Sequence, residues 1–245
     1  MPAAAPTVLL QLWGVDTRHV GSALTRMATT RRQLRDTPGL RFRKLLGTGS
    51  GRTFTVRDAD PHRWGLLTVW DGEADVARYL AGHQALDSWD AVATERLDVR
   101  LAPLASRGRW SGVEPFGNPL PRKVDGPVAS ITRARIRPSK AVTFWRAVPP
   151  VSLDLQRVDG LTLALGIGEA PVGLQGTFSL WRSAEALTAF AHRRAPHAEA
   201  VRRTATEQWY AEELFARFQV RDVHGTLDHR PVEVGTRPDA SPTSP

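Results

Sequence analysis

Short apolar runs of strand length alternate along this chain with longer amphipathic stretches, and the series comes round twice. The pattern predicts a strand at "TVLLQLWGV", a helix from about Thr17 to Arg35, strands at "LRFRKLL" and "WGLLTVW", a helix from Glu73 to Ala93, and a strand at "RLDVRLAPL". From Val128 the order returns: a strand at "VASITRARI", a helix at "SKAVTFWRAV", strands at "LTLALGI" and "GTFSLW", a long helical segment from Ser183 to about Phe218, and a last strand near "RDVHGTL".

Landmarks inside the two series coincide. Gly39 and Gly160 each open a strand that closes on Leu-Gly-x-Gly, and each following apolar strand ends in Trp, at Trp70 and Trp181. A helix start follows each Trp, with Val76 and Tyr79 matching Leu187 and Phe190. The offset is 121 residues at the glycines and 111 at the tryptophans, so about ten extra residues around "TVRDADPHR" lengthen the first hairpin. The order βαββαβ, twice, predicts an α+β fold of tandem ferredoxin-like repeats. Their sheets are expected to pack into an intramolecular dimeric α/β barrel, with helices outside and a cavity between the sheets. The expected organisation is a tail at 1–6, one repeat at 7–112, a Pro- and Gly-rich linker at 113–127, a second repeat at 128–232 and a tail at 233–245.

Strand periodicity sorts the residues of the second repeat onto faces. In "VASITRARIR" it puts Val128, Ser130, Thr132, Ala134 and Ile136 on one face, and Ala129, Ile131, Arg133, Arg135 and Arg137 on the other. In "QGTFSLW" it separates Phe178 and Leu180, expected beneath the helices, from Gln175, Thr177, Ser179 and Trp181, expected to wall a site. Two readings of the arginine face stand side by side: contact with water at a sheet edge, or Arg133 and Arg135 gripping carboxylates through their guanidinium forks.

Composition narrows the chemistry. The chain has 245 residues and 41% apolar content, enough for a substantial core. No apolar run approaches the ~20 residues of a membrane helix, and "MPAAAPT" does not read as a signal peptide, so a cytoplasmic location is expected. There is no cysteine, which excludes disulfides, iron–sulfur ligation and thiolate-held haem and leaves His, carboxylate or Tyr for any metal. The net charge is +8, but Arg and Lys are interspersed with Glu and Asp and no nucleic-acid recognition module occurs. The charge suits an anionic membrane surface or an acidic redox partner instead.

Among seven histidines, His19, His62, His83 and His229 read as solvent-exposed, and His192 falls at the edge of an apolar helix stripe between Ala191 and Arg193. His197 follows Pro196, which places it in the first turn of a new helical segment, where the dipole favours a neutral, coordinating imidazole. On these grounds it is either a structural residue or a ligand. No Gly-x-Ser-x-Gly elbow, Walker loop or His-Glu-x-x-His motif is present.

The segments "RARIRPSKAVTFWRAVP", "GIGEAPVGLQGTFSLW", "FAHRRAPHAEAVRRT" and "WYAEELFARFQV", with "RFRKLLGTGSG" and "WGLLTVW" in the first half, resemble the spheroidene monooxygenase family of carotenoid biosynthesis and its actinobacterial relatives. The resemblance implies a haem b enzyme that uses dioxygen to oxidise a small apolar or specialised-metabolite substrate, with a ferredoxin-type electron donor. It implies that His197 ligates the iron; with haem in place, Arg133, Arg135, Lys140 and Trp181 are expected to hold the cofactor, and Trp145, Gln175 and Ser179 to shape the reacting pocket. His192, where many members keep an aromatic, is a competing ligand. The architecture is also similar to aldoxime dehydratases, which leaves a haem enzyme acting on nitrogen–oxygen bonds as one alternative. A non-catalytic haem or hydrophobic-ligand carrier, or a cofactor-free barrel, is another.

Overall fold

In the computed structural model, residues 5–50, 58–140, 158–169, 174–193 and 209–234 are described. The first half runs β1 (Thr7–Val15), a 3-10 turn (Thr17–His19), α1 (Val20–Gln33), β2 (Leu40–Gly49), β3 (Ala59–Trp70), α2 (Glu73–Leu80), α3 (Gln84–Asp90) and β4 (Ala93–Gly108). The second runs β5 (Val128–Ile136), a 3-10 turn (Pro138–Lys140), β6 (Leu161–Gly168), β7 (Leu174–Trp181), α4 (Ala184–Arg193), β8 (Tyr210–Leu227) and the two-residue β9 (Arg230–Pro231). The result is an α+β fold around one large antiparallel sheet.

Hydrogen-bonded neighbours follow the order β4-β1-β3-β2-β6-β7-β5-β8-β9, with β4 and β8 also paired. Thr7 lies opposite Trp70 and Val128 opposite Trp181, so the strand registers of the two halves superpose residue by residue. The halves also clasp each other reciprocally. Glu212 of β8 accepts hydrogen bonds from the backbone N–H groups of Ser111 and Gly112, at 3.0 and 2.7 Å, in the turn after β4. Glu95 of β4 accepts from those of Asp228 and His229, at 3.2 and 2.8 Å, in the turn after β8. Ser111, Asp228 and His229 all have positive φ, so these carboxylates satisfy amides that a tight turn leaves outside the ladder.

The strands of both halves share one apolar core. Val8, Leu10 and Leu12 of β1, Leu165 and Ile167 of β6, Ala129 and Ile131 of β5, Phe178 and Leu180 of β7, and Leu214, Ala216 and Phe218 of β8 form one core shared by both halves. The opposite faces meet the helices. In the first half Leu9, Trp13, Leu66 and Trp70 pack with Val76, Tyr79, Leu86 and Trp89. In the second, Val128 and Trp181 pack with Leu187 and Phe190.

Four expectations are corrected. The space expected to be a cavity between the sheets is filled by the shared core, and Phe178 and Leu180 belong to that core and not to the helix-facing side. The helix expected through Ala93 is two helices, broken at Gly82 (φ +151°), with His83 capping the second by accepting from the Ala85 N–H at 3.1 Å. Residues 210–218, expected to end a long helix, belong to β8. "YAEELFARF" is rich in helix formers, but its alternate residues Leu214, Ala216 and Phe218 are buried and it is hydrogen-bonded to both β4 and β5. Pairing on two edges outweighs local propensity.

Gly225, opposite Leu97, has φ +110°, and a Cβ there would run into the Arg96 carbonyl oxygen. Gly225→Ala should therefore lower the unfolding free energy by about 1–3 kcal/mol. Gly21→Ala, on α1 with nothing within 4 Å of the added methyl, should leave it unchanged or raise it by up to ~1 kcal/mol. Urea denaturation of both variants checks the contrast.

Candidate functional site

The superposed registers allow the helix-facing side of each half to be compared position by position. Leu9, Gln11 and Trp13 of β1 correspond to Ser130, Thr132 and Ala134 of β5. Leu66 of β3 corresponds to Thr177 of β7, and Leu45 of β2 to Gly166 of β6. The first set is large and closed over. Trp13 stacks on Trp89 with ring centroids 5.2 Å apart and donates to Asp90 at 2.8 Å, while Tyr79 donates its hydroxyl proton to Gln11 at 2.9 Å. Leu9, Gln11, Trp13 and Leu66 are all fully buried.

The second set is small, and among the described residues it is covered unevenly, with Ala134 and Gly166 buried. Thr132 is exposed although its strand is paired on both edges, by β7 and β8, and Ser130 and Thr177 are half-buried. One feature is common to both halves. Trp70 donates its indole N–H to Thr68 at 2.8 Å, and Trp181 donates its own to Ser179 at 2.9 Å. Beyond that point they diverge: Thr68 donates onward to the Leu9 carbonyl at 3.3 Å, whereas Ser179 lies 2.8 Å from the Ser130 hydroxyl. Among the described residues the second half thus has a floor of small side chains, Ser130, Thr132, Ala134, Gly166 and Thr177, hereafter the recess, where the first half has large packed ones.

The other polar constellation lies on the opposite face of β5, at the rim of the shared core. Arg133 is 3% exposed; it donates to Glu169 at 2.8 Å and pairs with Glu212. Glu169 also accepts from Lys44 and from the Trp110 indole, each at 2.6 Å. Burial pushes the Glu169 carboxyl up, but the hydrogen bonds from Lys44 and Trp110 and the charges of Lys44 and Arg133 outweigh it and hold the group below its ordinary range. For Glu212, burial is likewise outweighed, by the Gly112 N–H, Arg133 and the Ser111 N–H. Two cations and two carboxylates balance here, so the Arg133 fork is occupied by the protein's own carboxylates.

The residues singled out in the sequence distribute as follows. Ser179 and Trp181 are buried together on the helix-facing side, with Trp181 5.4 Å from the Phe190 ring. Arg133 faces the other way, Arg135 is exposed near the end of β5, and Lys140 ends the turn Pro138–Lys140. The backbone of Gln175 lies opposite Ala134. Its side chain and that of His192, and all of Trp145 and His197, fall outside the described features. Among the described residues, no group of three His, Asp or Glu could hold a metal. Sequence reasoning missed Ser130 and Thr132 as site residues and Glu169 and Glu212 as partners of Arg133. The repeat carried a signal for both: Leu9 and Gln11 give way to hydroxyls, and the core residue Leu12 gives way to Arg133.

The ion cluster carries its own predictions. Arg133→Ala would leave two carboxylates without their shared partner and should cost about 3–5 kcal/mol of stability. Because the folded-state pKa of Glu169 lies below its unfolded value of about 4.3, its contribution is complete above that pH and fades as the pH falls through the folded-state pKa. Glu169→Gln should lower stability at neutral pH and flatten its decline in acid, as denaturant titrations across the acid range would reveal.

No protein-family model matches the chain. Three curated relatives match most of it. Spheroidene monooxygenase of Rhodobacter capsulatus is 38% identical over 227 residues, 90% of this chain and 92% of the relative. Spheroidene monooxygenase of Rubrivivax gelatinosus is 38% identical over 194 residues, 79% of this chain and 73% of the relative. Solved structures of aldoxime dehydratase, one with butyraldoxime, share the fold at TM-scores of 0.59 and 0.61 and 10% identity. They cover 89% and 91% of this chain and 81% of each solved chain. With more than a third of its residues shared over nearly the full length of such a relative, the chain belongs to the spheroidene monooxygenase family and is a monooxygenase, an oxidoreductase.

Proposed function

We propose that this monooxygenase is haem-dependent, that its strands close into an intramolecular dimeric α/β barrel, and that the haem lies against the helix-facing side of the second half. The observation that carries the reading is the exchange of Leu9, Gln11, Trp13, Leu45 and Leu66 for Ser130, Thr132, Ala134, Gly166 and Thr177. Each exchange but that of Gln11 removes a large apolar or aromatic side chain from a surface that must otherwise be packed against helices. The volume released lies beside a sheet floor of small residues, the shape that a flat macrocycle needs. The surviving pair, Trp181 on Ser179, holds one end of that floor as Trp70 on Thr68 does in the filled half.

The floor residues themselves carry hydroxyls and no carboxylate, and Glu213, opposite Ala134 on the same face, is paired with Arg107 at 3.7 Å, so among the described residues the haem's own carboxylates meet no unpaired acid there. His197, which falls between α4 and β8 in the sequence and is carried by the resemblance, is the residue that would hold the iron. Bound haem would supply dioxygen activation. The protein's part is to exclude water with Trp181, Leu187 and Phe190 at one end of the recess and to present an apolar, carotenoid-like substrate at the other. A ferredoxin-type protein is the proposed electron source. Chemistry on nitrogen–oxygen bonds has only the fold of the aldoxime dehydratases behind it, at 10% identity.

Two experiments check this reading. The chain lacks cysteine, so Thr132→Cys introduces a single thiol, and Gln11→Cys places one at the equivalent buried position. The thiol at 132 should react readily with a maleimide and be protected by added haemin, while that at 11 should react only on unfolding. Reaction at 132 that haemin leaves unchanged would count against haem in the recess. Separately, His197→Ala should give a folded protein with a weakened or shifted Soret band, partly restored by imidazole, with His192→Ala close to wild type.

A further inference from the structure

We propose that Ser130 and Arg217 form a carboxylate-binding pair on the helix-facing side of the second half, and that on the haem reading above the carboxylate is a haem propionate. The two residues lie directly opposite in the β5–β8 register. Ala129 and Ile131 flank Ser130, and Ala216 and Phe218 flank Arg217, and all four point into the shared core. Ser130 and Arg217 therefore project together to the other side, where side chains directly opposite on neighbouring strands are close enough to act on one ligand group.

Both have donor capacity to spare. Ser179 accepts from the Trp181 indole N–H, and either hydroxyl can donate across the 2.8 Å Ser179–Ser130 contact; in the proposed site Ser179 is the donor. That leaves the Ser130 proton directed outward, at the end of a donor chain that polarises it. Arg217 is exposed and, among the described residues, has no carboxylate within salt-bridge distance. Its counterpart in the first half, Arg100, is neutralised by Asp222 at 2.7 Å, and Leu9, the counterpart of Ser130, has no hydroxyl. The duplicated fold thus carries the same strand pair twice, once closed by an internal ion pair and an apolar residue, and once left as a cation beside a hydroxyl donor. A guanidinium next to a neutral donor matches the two oxygens of a carboxylate. Arg133 does not compete for this role, because it faces the shared core and is held by Glu169 and Glu212.

The test compares haemin with its dimethyl ester, which keeps the macrocycle and removes both carboxylate charges. Wild-type protein should bind haemin at least tenfold more tightly than the ester in an absorbance titration. Arg217→Ala and Ser130→Ala should each weaken haemin about tenfold or more, the lower end of what one charge-assisted hydrogen bond contributes, and leave the ester nearly unaffected. Arg100→Ala, at the equivalent site of the first half, should change neither. Equal binding of haemin and ester by wild type, or variants that bind haemin as wild type does, would overturn the carboxylate site and leave the haem reading standing. Failure of wild type to bind either compound would overturn both. Thermal melts of the variants without ligand, expected to match wild type because Arg217 is exposed, separate a lost contact from a lost fold.

Discussion

Pairing on both edges makes β5 the strand on which the rest of the molecule depends. Hydrogen-bonded to β7 and β8, it has no free edge, so all its variety lies in its two faces. One face closes the shared core with Ala129 and Ile131 and ends in the buried Arg133. The other must be covered by helices or by a ligand, and its residues, Ser130, Thr132 and Ala134, are too small to fill what Leu9, Gln11 and Trp13 fill in the first half. A slip of one register position would exchange the faces, driving Arg133 to the helix side and the hydroxyls into the apolar core. The ion cluster opposes such a slip, since Arg133 meets Glu169 and Glu212 in a single register.

Duplication explains how one half could change while the fold persisted. The filled half has Trp13 on Trp89, Trp89 donating to Thr30 at 2.9 Å, and Tyr79 on Gln11, and needs no ligand to complete its packing. With the reciprocal clasps of Glu95 and Glu212, that packing lets the first half serve as a scaffold for the second. The two tryptophan–hydroxyl bonds mark what both halves need, and the five exchanged positions mark what only one of them needs.

Much of this was legible in the sequence. The strands at Thr7–Val15 and Val128–Ile136, the repeat and its longer first hairpin, and the family all followed from patterns along the chain. What the alternation could not tell is which face meets the helices, because strands buried on both sides carry apolar residues on both; the expectation for Phe178 and Leu180 falls on the wrong side for that reason. β8 reads as helix in its sequence because Ala, Glu, Leu and Arg favour helices, and the pairing that overrules them comes from strands far away along the chain. Arg133 stands out, but its partners lie 36 and 79 positions away, and Glu169 finds Lys44 across 125. Such distant pairing has no local signature.

The recess of the second half, and not the packed first half or the shared core, is the proposed ligand site. The direct measurement is a haemin titration of the wild-type protein beside a variant carrying Ser130→Leu and Thr177→Leu, which restores the side chains of Leu9 and Leu66. Wild type should show a saturable Soret band and the variant should lose it, with the same circular dichroism spectrum for both. A variant that binds haemin with wild-type affinity and spectrum would contradict that assignment.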